Sequence, residues 1–154
     1  MQEAIIEAKK ALRANGQVGE GLPDDVPIGA VILNERGRII GRGHNQRELT
    51  GDPTAHAEVL AIRQAAEETG QWRLNNCTLV VTLEPCIMCA GAIVLARIPR
   101  IVIGAWDDKG GATGSVWDLV RDPAVNHFTE VIPGLRQEEC ALLLTDFFKA
   151  HRTQ

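Results

Sequence analysis

Two short segments place metal-binding side chains near the start of two predicted helices. In the first segment, residues 52–58, Thr54 is a favourable N-cap and the residues up to Thr69 have strong helix propensity. We therefore predict that His56 and Glu58 lie in the first turn of a helix that runs from about Ala55 to near Gly70. Residues two apart do not share a helix face, but both can reach a group beyond the helix N-terminus, where unpaired N–H groups favour anions.

The second segment is Pro85-Cys86-Ile87-Met88-Cys89, which follows a run of apolar residues typical of a buried strand. Pro85 predicts the end of that strand and the start of a helix. Cys86 and Cys89 then share one face of the first turn, where a helix N-terminus lowers the pKa of a thiol. With His56 they offer three zinc ligands and leave a fourth position open for water, which is typical of a catalytic site. Glu58, a carboxylate outside the ligand set, is placed to move protons.

Two other interpretations of these residues are weaker. A thioredoxin-like redox pair of Cys86 and Cys89 would leave His56 and Glu58 without a role. A structural zinc site would need a fourth protein ligand, for which Cys77, Cys140 and His44 are the plausible donors.

Length and composition predict one domain over residues 1–154. A chain of this length with 45% hydrophobic residues buries a core that does not depend on disulfides. Four cysteines, two of them assigned to the metal, indicate a reducing compartment. We find no signal peptide and no apolar run long enough for a membrane span, so we expect a cytoplasmic protein. The net charge of −4 gives no overall attraction to nucleic acid, so RNA binding would need a local basic patch.

The remaining pattern predicts an α/β fold in which a mixed sheet carries helices on both faces. The two metal-site helices should begin close together at one edge of this sheet, at the carboxyl ends of their strands. The predicted helices cover residues 2–15, 55–70, 85–98 and 137–150, and the predicted strands cover residues 28–33, 38–45, 77–83, 100–105 and 128–132.

The motif H-x-E…P-C-x-x-C is the signature of zinc-dependent base deaminases, and on it the chain is identified as a member of the cytidine-deaminase-like superfamily. Further blocks resemble the bacterial tRNA-specific adenosine deaminases and together cover nearly the whole chain. The resemblance implies a three-layer α/β/α sandwich around a five-stranded sheet, one zinc ion (Zn²⁺) per subunit, a homodimer, and conversion of the wobble adenosine of a tRNA anticodon stem-loop to inosine. The blocks are residues 26–31, 52–58, 82–92, 104–111, 126–127 and 139–149, together with Asn45.

The same resemblance implies a role for individual residues. His56, Cys86 and Cys89 match the zinc ligands, and Glu58 matches the residue that shuttles protons. Asn45 matches a residue that hydrogen-bonds the flipped-out nucleoside, although it can also be a turn residue that ends a strand. Three more match residues near the RNA: Asp107 and Lys109, which can also form an ordinary solvated turn, and Phe148 in the last helix.

The chain departs from the family pattern in three places. Phe128 stands where the family has an RNA-facing Arg, the loop of residues 16–25 looks longer than usual, and the tail after Phe148 is short. Two alternative functions stay open. One is a small-molecule deaminase of guanine or cytosine on the same scaffold, against which the blocks at 104–111 and 126–127 argue. The other is a zinc-stabilised RNA-binding module without catalysis, against which the intact Glu58 argues.

Overall fold

The computed structural model describes residues 1–12 and 24–152. It contains five α-helices and five β-strands, with a short 3-10 turn over residues 119–121. The end of the helix predicted over 2–15, and residues 16–23 of the long loop, lie outside the described residues. The elements are α1 (Gln2–Lys10), β1 (Gly29–Leu33), β2 (Ile39–His44), α2 (Arg47–Thr50), α3 (Ala57–Thr69), β3 (Thr78–Leu83), α4 (Ile87–Leu95), β4 (Arg100–Ala105), β5 (Glu130–Ile132) and α5 (Gln137–Arg152).

The strands form one mixed sheet in the order β2-β1-β3-β4-β5. Strand β1 is antiparallel to both of its neighbours, whereas β3, β4 and β5 pair in parallel. Strand β2 therefore points the same way as β3, and the carboxyl ends of both lie at one edge of the sheet. Because α3 follows β2 and α4 follows β3, both helices begin at that edge, which confirms the predicted arrangement.

Helices cover both faces of the sheet, as predicted. One face packs against α3 and α4 through the main core, where Ala61 and Ile93 meet Ile32 and Leu79. The other face packs against α1 and α5, through smaller clusters around Ala4 and Cys140. The central strands are buried on both faces, which explains why their sequences show no polar alternation.

Two glycines in β2 bring helix α3 unusually close to the sheet. A Cβ on Gly41 would lie 2.3 Å from the carbonyl oxygen of Ala61, and one on Gly43 would lie 2.2 Å from that of Ala57. Only glycine, which has no Cβ, fits between β2 and α3 at these two positions.

We expect Gly41→Ala to lower the free energy of unfolding by ~1–3 kcal/mol, because the new methyl group must displace the backbone of α3. Thermal unfolding measures the effect. Gly110→Ala is the control, since its Cβ would meet only Asp107, at an ordinary 3.4 Å. Equal melting temperatures for the two variants would contradict the prediction.

The sequence located most elements within a few residues, and the bounds of β4 agree fully. It missed α2 and the 3-10 turn over residues 119–121, which are short and lack a hydrophobic repeat. Within the described residues no helix is both long and apolar enough to cross a membrane.

Candidate metal centre and substrate pocket

The three predicted metal ligands come together at the carboxyl edge of the sheet. His56 Nδ1 lies 3.6 Å from Cys86 Sγ and 3.5 Å from Cys89 Sγ. A tetrahedral zinc ion with Zn–N near 2.05 Å and Zn–S near 2.3 Å separates such ligand atoms by about 3.6 Å. The spacing of these atoms therefore fits zinc without rearrangement.

No fourth protein ligand joins this group within the described part of the chain. His56, Cys86 and Cys89 form its one cluster of at least three His, Cys, Asp or Glu side chains that could hold a metal ion. Cys77 is buried in the main core, Cys140 packs against Gly104, and His44 lies next to Glu7. The closed, four-ligand alternative thus lacks a donor, and the three ligands leave a coordination position open.

Two of the three ligands, His56 and Cys86, are helix N-caps, which corrects the predicted helix starts. Helix α3 begins at Ala57, so His56 is its N-cap rather than a member of its first turn, and Cys86 is likewise the N-cap of α4. Thr54 is not the cap, because its backbone N–H and its hydroxyl both bond to Asp52 Oδ1, at 2.8 and 2.7 Å. Neither His56 nor Cys86 makes a side-chain capping bond, so both side chains are left for a ligand.

The two thiols differ in their protonation. A hydrogen bond donated by the Cys89 thiol lowers the pKa of Cys86 to about 4, and a further bond to His56 acts in the same direction. The bond to the Cys86 thiolate and burial raise the pKa of Cys89. The same thiolate raises the pKa of His56. A divalent cation supplies the charge that allows both cysteines to be thiolates at once.

Glu58 lies beside the cluster but is not a member of it. It is the second residue of α3, with only 4% of its surface exposed, and it contacts Cys89. Burial raises the pKa of Glu58 to about 7, and the nearby Cys86 thiolate adds to the rise. A carboxyl group with such a pKa can both accept and release a proton near neutral pH.

A pocket of about 130 Å³ opens next to these residues, and it brings together five of the predicted site residues. Asn45 is held in its wall by two backbone contacts: its Nδ2 donates to the carbonyl of Val26, and its Oδ1 accepts from the N–H of Arg47, both at 3.3 Å. The Asp107 carboxylate accepts hydrogen bonds from the N–H groups of Lys109 and Gly110. The lining residues are Val26, Ile28, Asn45, Arg47, His56, Ala57, Glu58, Leu83, Glu84, Cys86 and Asp107.

The family model for the zinc-binding region of cytidine and deoxycytidylate deaminases matches residues 1–105. The chain belongs to this zinc-dependent deaminase family. It is 48% identical to the tRNA-specific adenosine deaminase of Bacillus subtilis over 99% of this chain and 88% of that protein. Zinc is its cofactor, as the resemblance implied, and the spacing of the three ligand atoms fits one ion per chain.

Solved structures agree with this assignment. One, from studies of A-to-I editing by tRNA:A34 deaminases at the wobble position of transfer RNA, matches with a TM-score of 0.83 and 44% identity, over 94% of this chain and 97% of that one. The guanine deaminase of Bacillus subtilis matches less closely, with a TM-score of 0.59 and 31% identity over 99% of this chain and 91% of its own. The predicted α/β/α sandwich is confirmed.

The remaining predicted contacts of the deaminase lie outside the pocket. Lys109 is exposed on the loop that carries Asp107. Phe147 is buried, whereas Phe148 is about half exposed and packs edge-on against it, so only one ring of the pair belongs to the core. Phe128 is 60% exposed and adjoins Thr129, whose hydroxyl bonds to the Ile98 carbonyl at the sheet edge opposite the pocket.

Sequence reasoning missed two buried carboxylates near the site of the deaminase. Asp25 accepts hydrogen bonds from the N–H groups of Glu48 and Leu49, and so fixes the start of α2 behind Asn45. Glu84 lies between β3 and the metal ligand Cys86. The sequence held one signal for Glu84, because an acidic residue directly after an apolar strand needs buried partners. It held none for Asp25, which lies in a polar loop.

Proposed function

We propose that this deaminase converts the wobble adenosine of a tRNA anticodon to inosine. The observation that carries the proposal is the extent of the similarity to the Bacillus subtilis tRNA-specific adenosine deaminase, which spans 99% of the chain. That similarity reaches far beyond the metal-binding segments that all members of the superfamily share. The site residues keep the roles assigned to them from the sequence.

The reaction replaces the 6-amino group of adenine by oxygen from water and releases ammonia. His56, Cys86 and Cys89 would hold the zinc ion, which when bound would lower the pKa of a water molecule to about 7. Glu58 accepts a proton from water and donates it to the purine ring nitrogen as the hydroxide adds to C6. It then takes the proton of the new C6 hydroxyl and delivers it to the amino group, which leaves as ammonia while C6 becomes a carbonyl. Its buried position and its raised pKa suit a group that must gain and lose a proton in each turnover.

Asn45 and Asp107 orient the nucleoside in the pocket. An amide side chain has two N–H donors and two acceptor lone pairs. The backbone contacts of Asn45 use one of each, so one donor and one lone pair remain for the substrate. A pocket of about 130 Å³ takes one unstacked base and excludes a paired one. An anticodon loop supplies bases that are already splayed out.

The RNA backbone is held outside the pocket by cations at its rim and in the last helix. Among the cations, Arg47 lines the pocket itself, Lys109 follows the lining residue Asp107 by two positions, and Lys149 and Arg152 lie at the end of α5. We further propose a cytoplasmic homodimer. Helix α4 exposes Ile87 and Leu95 (55% and 69%), which suit a buried interface between two subunits.

We expect Lys109→Glu to raise the KM for an anticodon stem-loop and to reduce the salt dependence of binding by roughly one counterion. The physical reason is that one phosphate contact is replaced by repulsion. Arg36→Glu is the matched control, because it makes the same charge change in the β1–β2 turn, at the opposite edge of the sheet. Steady-state inosine formation across a salt series measures both; equal effects of the two substitutions would remove Lys109 from the footprint.

The main experiment separates this function from deamination of free bases. The similarity to guanine deaminase, at 31% identity over 99% of the chain, makes guanine the competing substrate. Purified protein is incubated with a set of tRNAs and, separately, with free adenosine, guanine and cytosine; inosine is mapped by sequencing and ammonia is measured. We expect inosine at the wobble position and almost no ammonia from the free compounds. Ammonia from guanine with no inosine in any tRNA would replace the proposal by the alternative.

A further inference from the structure

The buried carboxylate of Glu84 accepts all its described hydrogen bonds from one loop. Only 2% of its surface is exposed, and no ion pair involves it in the described part of the chain. Its Oε2 accepts a hydrogen bond from the N–H of Asp107 at 2.9 Å. Its Oε1 accepts from the N–H groups of Thr113 and Ser115, each at 3.0 Å. Three backbone donors satisfy a charge that would otherwise be costly to bury.

The loop of residues 106–115 is built closely around this carboxylate. A Cβ on Gly111 would lie 2.1 Å from Glu84 Oε2, so any side chain there would displace either the carboxylate or the loop. Gly111 has no positive φ, so space rather than backbone conformation favours glycine at this position. The fit and the hydrogen bonds independently indicate that Glu84 is the centre around which the loop folds.

The loop connects this carboxylate to the substrate pocket and to the metal helix. Asp107, whose N–H binds Glu84, has its side chain in the pocket wall. The N–H of Ala112 donates to the Pro85 carbonyl at 2.8 Å, and Gly111 forms a β-bridge with Cys86. The loop therefore lies against the N-terminus of α4, with Lys109 on its exposed side.

We propose that Glu84 is a positioning residue for the substrate, acting through the loop of residues 106–115. It holds Asp107 in the pocket wall and Lys109 at the rim, and it has no part in zinc binding or proton transfer. Its effect on the kinetics rests on the proposed function, whereas its effect on the loop does not. Losing one carboxylate oxygen as an acceptor loosens the loop and weakens substrate binding, while the chemical step in the bound complex is preserved.

Glu84→Gln tests this with little change in side-chain volume. The amide nitrogen cannot accept a hydrogen bond, so either Asp107 or the Thr113 and Ser115 pair faces a donor instead of an acceptor. The matched control is Glu130→Gln, at an exposed carboxylate that pairs with Arg100. Three quantities are measured for each protein: zinc content, hydrogen exchange of peptides covering 106–115 and 87–95, and KM and kcat for an anticodon stem-loop.

For Glu84→Gln we expect full zinc content, exchange in residues 106–115 that is about 10-fold faster, and unchanged exchange in 87–95. The KM should rise about 10-fold, and kcat should stay within about 3-fold of the parent value. Unchanged exchange in the loop, loss of zinc, or a fall in kcat at constant KM would each overturn the proposal. The exchange result decides it even if the parent protein makes no inosine, which would count against the proposed function alone.

Gly111→Ala is the second variant, for use if Glu84→Gln does not fold. It keeps the carboxylate but forces it away from the loop, so it should give the same faster exchange and higher KM with zinc retained. Parent-like exchange and KM in this variant would show that the loop does not depend on its fit to Glu84.

Discussion

Glu58→Gln should lower the rate of deamination by ~10²–10⁴-fold or more and leave the zinc content unchanged. The glutamine side chain keeps the shape of Glu58 but cannot carry a proton between water and base. Because Glu58 serves several proton transfers in one turnover, the loss should reach or exceed the top of that range. Glu58→Ala should behave in the same way. Single-turnover inosine formation gives the rate, and elemental analysis gives the metal content.

The matched control for this substitution lies on the same helix. Glu67→Gln makes the same chemical change at an exposed position near the other end of α3, and it should leave both quantities unchanged. A zinc-free Glu58 variant would mean that Glu58 helps to bind the metal, and the separation of roles argued above would then be wrong.

Cys86→Ser and Cys89→Ser should each remove zinc and abolish activity. A serine hydroxyl is a poor replacement for a thiolate on zinc, so the metal affinity should fall by more than the ~10–100-fold that loss of an outer-shell partner causes. The melting temperature should fall as well, since the bound metal stabilises the folded state. Zinc content after dialysis and thermal unfolding with and without added zinc measure the two effects.

The chain supplies its own controls in the two other cysteines. Cys77→Ser and Cys140→Ser change thiols that are buried in apolar surroundings away from the cluster. Both should keep the metal and lose some stability from the buried hydroxyl. Zinc loss in the Cys77 variant would indicate a closed, structural zinc site with Cys77 as its fourth ligand.

The fold was predictable where hydrophobic pattern and turn residues agree. Strand β4 is an apolar run that begins directly after Pro99, and its bounds were predicted without error. The start of α3 was predicted too early because Thr54 has the residue type of an N-cap. In the structure Asp52 binds the Thr54 hydroxyl, residues 53–54 form a turn, and the helix starts only after His56, whose backbone is extended. That competition between two local hydrogen bonds is not visible in a residue pattern.

The metal ligands were predictable because their spacing is local, whereas the pocket was not. His56, Cys86 and Cys89 are recognised by short motifs at the N-termini of α3 and α4. The wall of the pocket depends on contacts between distant residues, such as Glu84 with Thr113 and Ser115. The sequence indicates that Glu84, at the end of a strand, needs hydrogen-bond donors. Which residues donate is known only once the loop of residues 106–115 is seen to fold back onto it. That residues 1–154 form a single domain remains a prediction.

The close approach of β2 and α3 has a consequence for how the enzyme tolerates change. A Cβ on Gly43 would meet the carbonyl of Ala57, the residue directly after the ligand His56, so main chain rests on main chain at this point. The backbone that leads from His56 into α3 is thus positioned by direct contact with the backbone of β2. We expect substitutions that alter side-chain volume elsewhere in the core to shift this main-chain contact less than they shift the side chains around them. The core should therefore accept conservative apolar substitutions more readily than any replacement of Gly41 or Gly43.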